Sequence, residues 1–217
     1  AAAHSGLPVC SHLAETVEEI EFCMYRQGPL KDLLIQVGVF DEDMPVLGQH
    51  PLDAFGHLLE KGAWTIAHVN YPSLASEEPF QRARRIASLA NAELSVAFCP
   101  RASAFFGHPV CGEAGHPWRE MQAAGVRVAL GTDGMPCLDT PERISVLDEM
   151  RLLARRDAAS QQELLSMATV NGAHAVGLDP SMVTFSEGPI AGIIRVPGEG
   201  SDPFADALRR NDSRSEE

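Results

Sequence analysis

Four short, mostly apolar runs, each followed by a stretch of helical period, constrain this chain more than any other feature. They fall at residues 7–13, 64–69, 94–98 and 126–130. Each has the length and composition of a buried strand. Between them apolar side chains recur at helical spacing: Val17, Ile20 and Cys23; Phe80, Ala83, Ile86 and Ala90; Val146, Met150, Leu153 and Ala154. Strand alternating with helix implies a parallel α/β sheet with outer helices. Four such units are half of a (β/α)8 barrel, which takes about 250 residues. This chain has 217.

Turn and cap signals set the expected boundaries. Gly28-Pro29 stops the first helix, residues 30–37 make a short second one, and residues 40–49 read as an acidic loop. Pro51 opens the next helix. Cys99-Pro100-Arg101 reads as the start of a long loop, punctuated by Gly and Pro, that runs to Pro117 and a short helix. Thr140-Pro141 has the form of a cap followed by a first-turn proline, predicting a helix to about Arg156. Ser160-Gln161-Gln162-Glu163 is a capping box, and Asn171-Gly172 is expected to bend the segment after it. Residues 190–196 are expected as a late strand. Residues 198–217, polar and charged, read as a weakly ordered tail, which leaves residues 1–197 as one domain.

The net charge of −13 argues against nucleic acid or an anionic membrane as partner, because either needs basic patches. No apolar run reaches the roughly 18 residues of a membrane-spanning helix. The start lacks a basic-then-apolar leader. The five cysteines are scattered without a C-x-x-C, so neither a disulfide framework nor a structural zinc site is expected, and a reducing cytoplasm is the expected location.

Three strand ends carry candidate chemistry. His12 closes the first run with Glu15 three residues on, His68 closes the second, and Val126-Arg127-Val128-Ala129-Leu130 runs into Gly131-Thr132-Asp133-Gly134. Parallel α/β folds keep their chemistry at the carboxyl ends of strands. Imidazole and carboxylate together suit a catalytic zinc or iron that activates water. Taken singly, each has an ordinary reading: a hydrogen-bonded core histidine, a first-turn glutamate facing the helix dipole, a helix-capping aspartate. Glu18, Glu19, Glu21 and the 41–43 acidic run read as solvated faces. His4, His50 and His57 read as surface or locally bonded residues, and His108 and His116 as loop residues within reach of a substrate.

The ordered set is more specific. His12-Leu13-Ala14-Glu15-Thr16, Ala67-His68-Val69-Asn70, Cys99-Pro100-Arg101-Ala102-Ser103 and Gly131-Thr132-Asp133 resemble the amidohydrolase superfamily, in its branch of cytosine deaminases, guanine deaminases and chlorohydrolases. Met167-Ala168-Thr169-Val170-Asn171-Gly172-Ala173 is similar to that group's helix after the last barrel strand. The resemblance implies an α/β fold, the C-terminal half (about strands five to eight) of a metal-dependent-hydrolase (β/α)8 barrel. It implies His12 and Asp133 as metal ligands; Glu15, His68 and Asp133 as catalytic groups; and Arg101, Ser103, Phe106 and His108 as lining for the substrate. The implied cofactor is a divalent metal, zinc ahead of iron or manganese. The implied reaction is hydrolytic deamination of a purine, pyrimidine or nucleoside-like small molecule. Hydrolysis of a C–Cl or amide bond at the same site is the alternative. No His-x-His, which that family's first strand supplies to the metal, occurs here. From this comes a competing expectation, that the chain alone is inactive and associates through its open sheet edges as an oligomer or aggregate.

Overall fold

A computed structural model describes residues 8–92, 94–108, 115–140, 142–185, 187–193, 195 and 201–209. Leu7, Cys111, Pro141 and Val196 lie outside the described residues. The elements run β1 (Val9–Leu13), α1 (Val17–Tyr25), α2 (Pro29–Gln36), α3 (Pro51–Leu59), β2 (Trp64–His68), α4 (Pro79–Asn91), β3 (Ser95–Phe98), α5 (Pro100–Phe106), α6 (Trp118–Ala123), β4 (Arg127–Leu130), α7 (Val146–Arg156), α8 (Gln161–Ala168), α9 (Val170–Ala175) and α10 (Pro203–Arg209). Short 3-10 turns stand at Met135–Cys137 and Pro180–Val183.

Among the described residues the strands make one parallel sheet in the order β1-β2-β3-β4, each joined to the next through helices. This is the alternation the sequence implies. One lateral row reads His12, Ala67, Ala97, Ala129; the row before the strand tips reads Ser11, Ile66, Val96, Val128. Ile66, Val96 and Val128 are fully buried with Ile86 and Leu89 of α4, Trp118 and Met121 of α6, Leu153 of α7, and Leu164 and Met167 of α8. At about 25 cal/mol per Å² of apolar surface removed from water, this helix-covered face holds the sheet together. The other face carries alanines, which leaves space beside His12.

Local signals place most boundaries. Thr16 caps α1 by accepting the Glu19 N–H at 3.0 Å. The capping box at Ser160 and Glu163 forms in both directions. His50 caps α3: its Nδ1 accepts the Leu52 N–H at 3.2 Å, and its Nε2–H donates to the Tyr71 carbonyl at 3.0 Å. Burial, with Arg85 nearby, pushes the His50 imidazole down to about 4.

Five expectations change. Residues 100–106, read as loop, form α5, because Pro100 occupies its first turn and Gly107, at φ 70°, closes it in the left-handed region. Thr140 is not a helix cap. Its hydroxyl accepts from Arg101 Nη1 at 2.8 Å and donates to the Arg143 carbonyl at 3.3 Å, and α7 begins only at Val146. The bend after α8 falls at Thr169 (φ −118°, ψ −83°), ahead of Asn171, whose amide donates to the Val128 carbonyl at 2.9 Å. Among the described residues of 190–196 there is no strand; Ile190 and Ile193 are exposed. The segment read as tail contains α10, anchored where Arg151 Nε and Nη2 donate to the Ala207 carbonyl at 3.1 and 2.9 Å.

Candidate active site

The register aligns Leu13 with His68 and Phe98 with Leu130, so the carboxyl ends of β1, β2 and β4 meet at one end of the sheet. His12, Glu15, His68 and Asp133 gather there. The His12 and His68 rings stack with centroids 5.0 Å apart, and His68 Nε2 lies 3.5 Å from Glu15 Oε1 and 3.9 Å from Asp133 Oδ2. His68 is the floor, 2% exposed; Glu15 and Asp133, at 26% and 24%, are the rim. Burial lowers the His68 pKa, against the pull of the Glu15 and Asp133 carboxylates.

Strict alternation along β2 would send His68 to the helix-covered face with Ile66. The backbone breaks the alternation: His68 has φ 71° and Val69 φ 50°. A β-branched residue in the left-handed region is strained by about 1–3 kcal/mol. Ala14 (φ 54°) and Asp133 (φ 59°) share this conformation, so four of the six non-glycine positive-φ residues among those described sit at the three strand ends. The surrounding bonds hold the strain. His116, 6% exposed and stacked on Phe98 with ring centroids 3.8 Å apart, donates from Nε2 to the His68 carbonyl at 2.7 Å. Gly131 bonds the Phe98 carbonyl at 2.8 Å and passes so close to Cys99 that a Cβ there would lie 2.8 Å from Sγ.

His12, Glu15 and His68 offer ligating atoms within 4.8 Å of one another. His68 Nε2 is buried without a hydrogen-bond partner. An orphaned imidazole nitrogen among a second imidazole and two carboxylates fits a divalent cation. The sequence-level ligand pair was His12 and Asp133. The geometry adds His68 and Glu15 as donors beside His12, with Asp133 Oδ2 3.9 Å from His68 Nε2.

The loop residues divide. His108 Nδ1 lies 3.0 Å from the Tyr71 hydroxyl, with Phe105 and Phe106 exposed beside it. Arg101 has another occupation than the expected one. Its guanidinium is buried and spent on Glu149 (2.6 Å), Asp139 (3.0 Å) and Thr140 (2.8 Å), because α5 turns it toward α7. Ser103 is also buried, its hydroxyl donating to Asn70 Oδ1 at 3.3 Å. His116, read as a loop residue in reach of substrate, is sealed beneath His68. Glu19, read as a solvated face, turns its carboxylate inward onto the backbone N–H groups of Ala14 (2.9 Å) and Glu15 (2.8 Å). Asn70 stands in a quoted motif, yet nothing in its sequence context marks its partners.

A model of the amidohydrolase family matches residues 1–211. The chain is 31% identical over 201 residues to the 5-methylthioadenosine/S-adenosylhomocysteine deaminase of Moorella thermoacetica, covering 90% of this chain and 39% of that protein. It is 30% identical over 195 residues to the enzyme of the same name from Pyrococcus furiosus, covering 86% of this chain and 37% of that protein. The chain thus spans about two-fifths of the length of these relatives. In fold it is similar to the zinc-complexed atrazine chlorohydrolase TrzN of Arthrobacter aurescens TC1, with a TM-score of 0.60 at 22% identity over 98% of this chain and 42% of that one.

Proposed function

The chain belongs to the amidohydrolase family, and on that premise we propose that its strand-end cluster is part of a hydrolytic deaminase site acting on an amino-substituted purine-type ring. The observation that carries this reading is the convergence of a second imidazole, His12, and two carboxylates around one buried nitrogen with no hydrogen-bond partner, His68 Nε2. The relatives' names supply the substrate class.

Each side chain has a part in that reaction. His12 and His68, with one carboxylate, would hold a divalent cation, zinc first; its Lewis acidity makes water a nucleophile near neutral pH. Both carboxylates would also move protons. Asp133, on the turn after β4, would take the proton from the attacking water and return it to the departing amino group. Glu15, on the turn after β1, would protonate the ring nitrogen next to the amidine carbon and recover a proton from the new hydroxyl as the carbonyl forms and ammonia leaves. Burial lowers the proton affinity of His68, the direction that favours the neutral imidazole that a ligand or a hydrogen-bond partner of water requires. His108 and Phe106 at the rim are the substrate-facing groups of this reading.

The same reading assigns the four strands to the last four of an eight-stranded barrel. Cys10, Ser11 and His12 are exposed along β1, and Leu33, Ile35, Val37 and Val39 are exposed on and after α2, a surface for the other half to cover. The test is ammonia release from 5-methylthioadenosine and S-adenosylhomocysteine by the protein that carries this chain, loaded with zinc. Glu15→Gln is expected to cost about 10²–10⁴ in kcat, the range of general acid–base catalysis. Turnover unchanged in that variant would overturn the assignment.

A further inference from the structure

Ala14 and Glu15 form a two-residue turn with no helix or sheet of its own, yet each of its backbone polar groups is bonded. Glu19 Oε1 accepts the Ala14 N–H at 2.9 Å, and Glu19 Oε2 accepts the Glu15 N–H at 2.8 Å. The Ala14 carbonyl accepts the Tyr71 N–H at 3.0 Å. The Glu15 carbonyl accepts from Asn70 Nδ2 at 3.0 Å. Three of these four bonds come from side chains, on α1 and on the loop after β2.

A glutamate at the third position of a helix ordinarily reaches back to the N–H of its own cap. Glu19 reaches past Thr16 to the two residues before it. Its carboxyl is held above the ordinary value by burial, against the backbone N–H groups it accepts. The conformation it spans is the left-handed Ala14, which an alanine does not adopt unaided. Asn70 is 3% exposed, and its amide can face either way by shape alone. The Ser103 hydroxyl, also 3% exposed, donates to Oδ1 and thereby points Nδ2 at the Glu15 carbonyl. The flipped amide would set two carbonyl-type oxygens against each other.

We propose that Glu19, Asn70 and Ser103 are positioning residues that hold Glu15 by its backbone and so keep its carboxylate within 3.5 Å of His68 Nε2. This rests on reading Glu15 as the proton carrier. A glutamate has three side-chain torsions to arrange, and fixing its peptide groups on both sides removes the backbone's share of that freedom. Ser103 acts through Asn70 and touches no substrate.

The experiment needs no turnover, so it stands apart from the deaminase reading. The protein that carries this chain is labelled with 15N at histidine, and the His68 imidazole resonances are compared at one pH among wild type, E15Q, N70A, E19Q, S103A and S103T. The melting temperature is recorded for each. E15Q, which neutralises the carboxylate beside His68, defines the full displacement. N70A and E19Q are expected to give at least half of it, and S103A a smaller shift in the same direction that S103T reverses. Exchange of the Ala14 and Glu15 amides is expected to rise about tenfold or more in E19Q as the charge-assisted bonds are lost. Should N70A fail to fold, the S103A and S103T pair carries the same comparison. His68 resonances that stay at the wild-type position in the folded N70A, E19Q or S103A chains while E15Q moves them would overturn the proposal. So would an E15Q chain that leaves them in place, since the contact being held would then not exist.

Discussion

Replacing Glu149 by leucine removes one side of the most enclosed ion pair in the described structure. Glu149 is 0% exposed and Arg101 5%. Glu149 Oε1 accepts from Arg101 Nε at 2.6 Å and Oε2 from the Arg101 backbone N–H at 2.9 Å, so one carboxylate holds both the side chain and the first turn of α5. Breaking a buried pair from one side costs about 3–5 kcal/mol; in E149L the Arg101 guanidinium keeps Asp139 at 3.0 Å, while its Nε and backbone N–H lose their buried acceptor. Domains of this type have about 5–15 kcal/mol in total, so the loss is a large share of the whole. For a chain of this size each kcal/mol moves the melting temperature by about 2–4 °C, which makes the expected drop about 6–20 °C. Removing both charges in R101L/E149L should cost clearly less than the sum of the two single variants, because no charge is then stranded. Asp139 and the Arg101 N–H would still lose a partner. The assay is urea denaturation of the four proteins in a double-mutant cycle. An E149L chain within about 1 kcal/mol of wild type, or singles that add without coupling, would refute the structural assignment of Arg101 and return it to the substrate pocket.

Three further outcomes follow from the geometry. Lacking the His-x-His pair that the family resemblance leads one to expect, the chain alone should hold less than one equivalent of zinc after dialysis; a tightly retained equivalent would show that His12, Glu15 and His68 by themselves supply the three protein ligands that catalytic sites keep. His50, lowered from 6.5 to about 4, takes up its proton more readily unfolded than folded, so its contribution is complete above about 6.5 and is lost as pH falls toward 4; urea midpoints measured across that window should fall less steeply in H50Q than in wild type, and parallel curves would contradict this. Gly131→Ala would press a Cβ to 2.8 Å from Cys99 Sγ and should cost about 1–3 kcal/mol in thermal unfolding, with C99A restoring much of it; equal losses in G131A and G131A/C99A would show that the contact is not the cause.

The alternation of apolar runs with helical segments by itself pointed to a parallel sheet, because parallel neighbours need a crossover of about a dozen or more residues, usually a helix, and each of the first three strands is followed by one. It also put His12, His68 and Asp133 at strand ends, and parallel pairing brings such ends to one side. Periodicity served α1, α4 and α7 well, where an apolar stripe meets the sheet. It failed at α5, too short to show a period, and at Thr140, where a cap-like residue is drawn into the Arg101 network. Glu19, Asn70, Ser103 and His116 were illegible for a common reason. Their function depends on which backbone groups another segment presents to them, and that is set only when β1, β2 and α5 are packed together. The side of the sheet to which His68 turns was decided there as well: alternation gives one face, and the left-handed backbone at His68 and Val69, held by bonds from residues as distant as His116, gives the other.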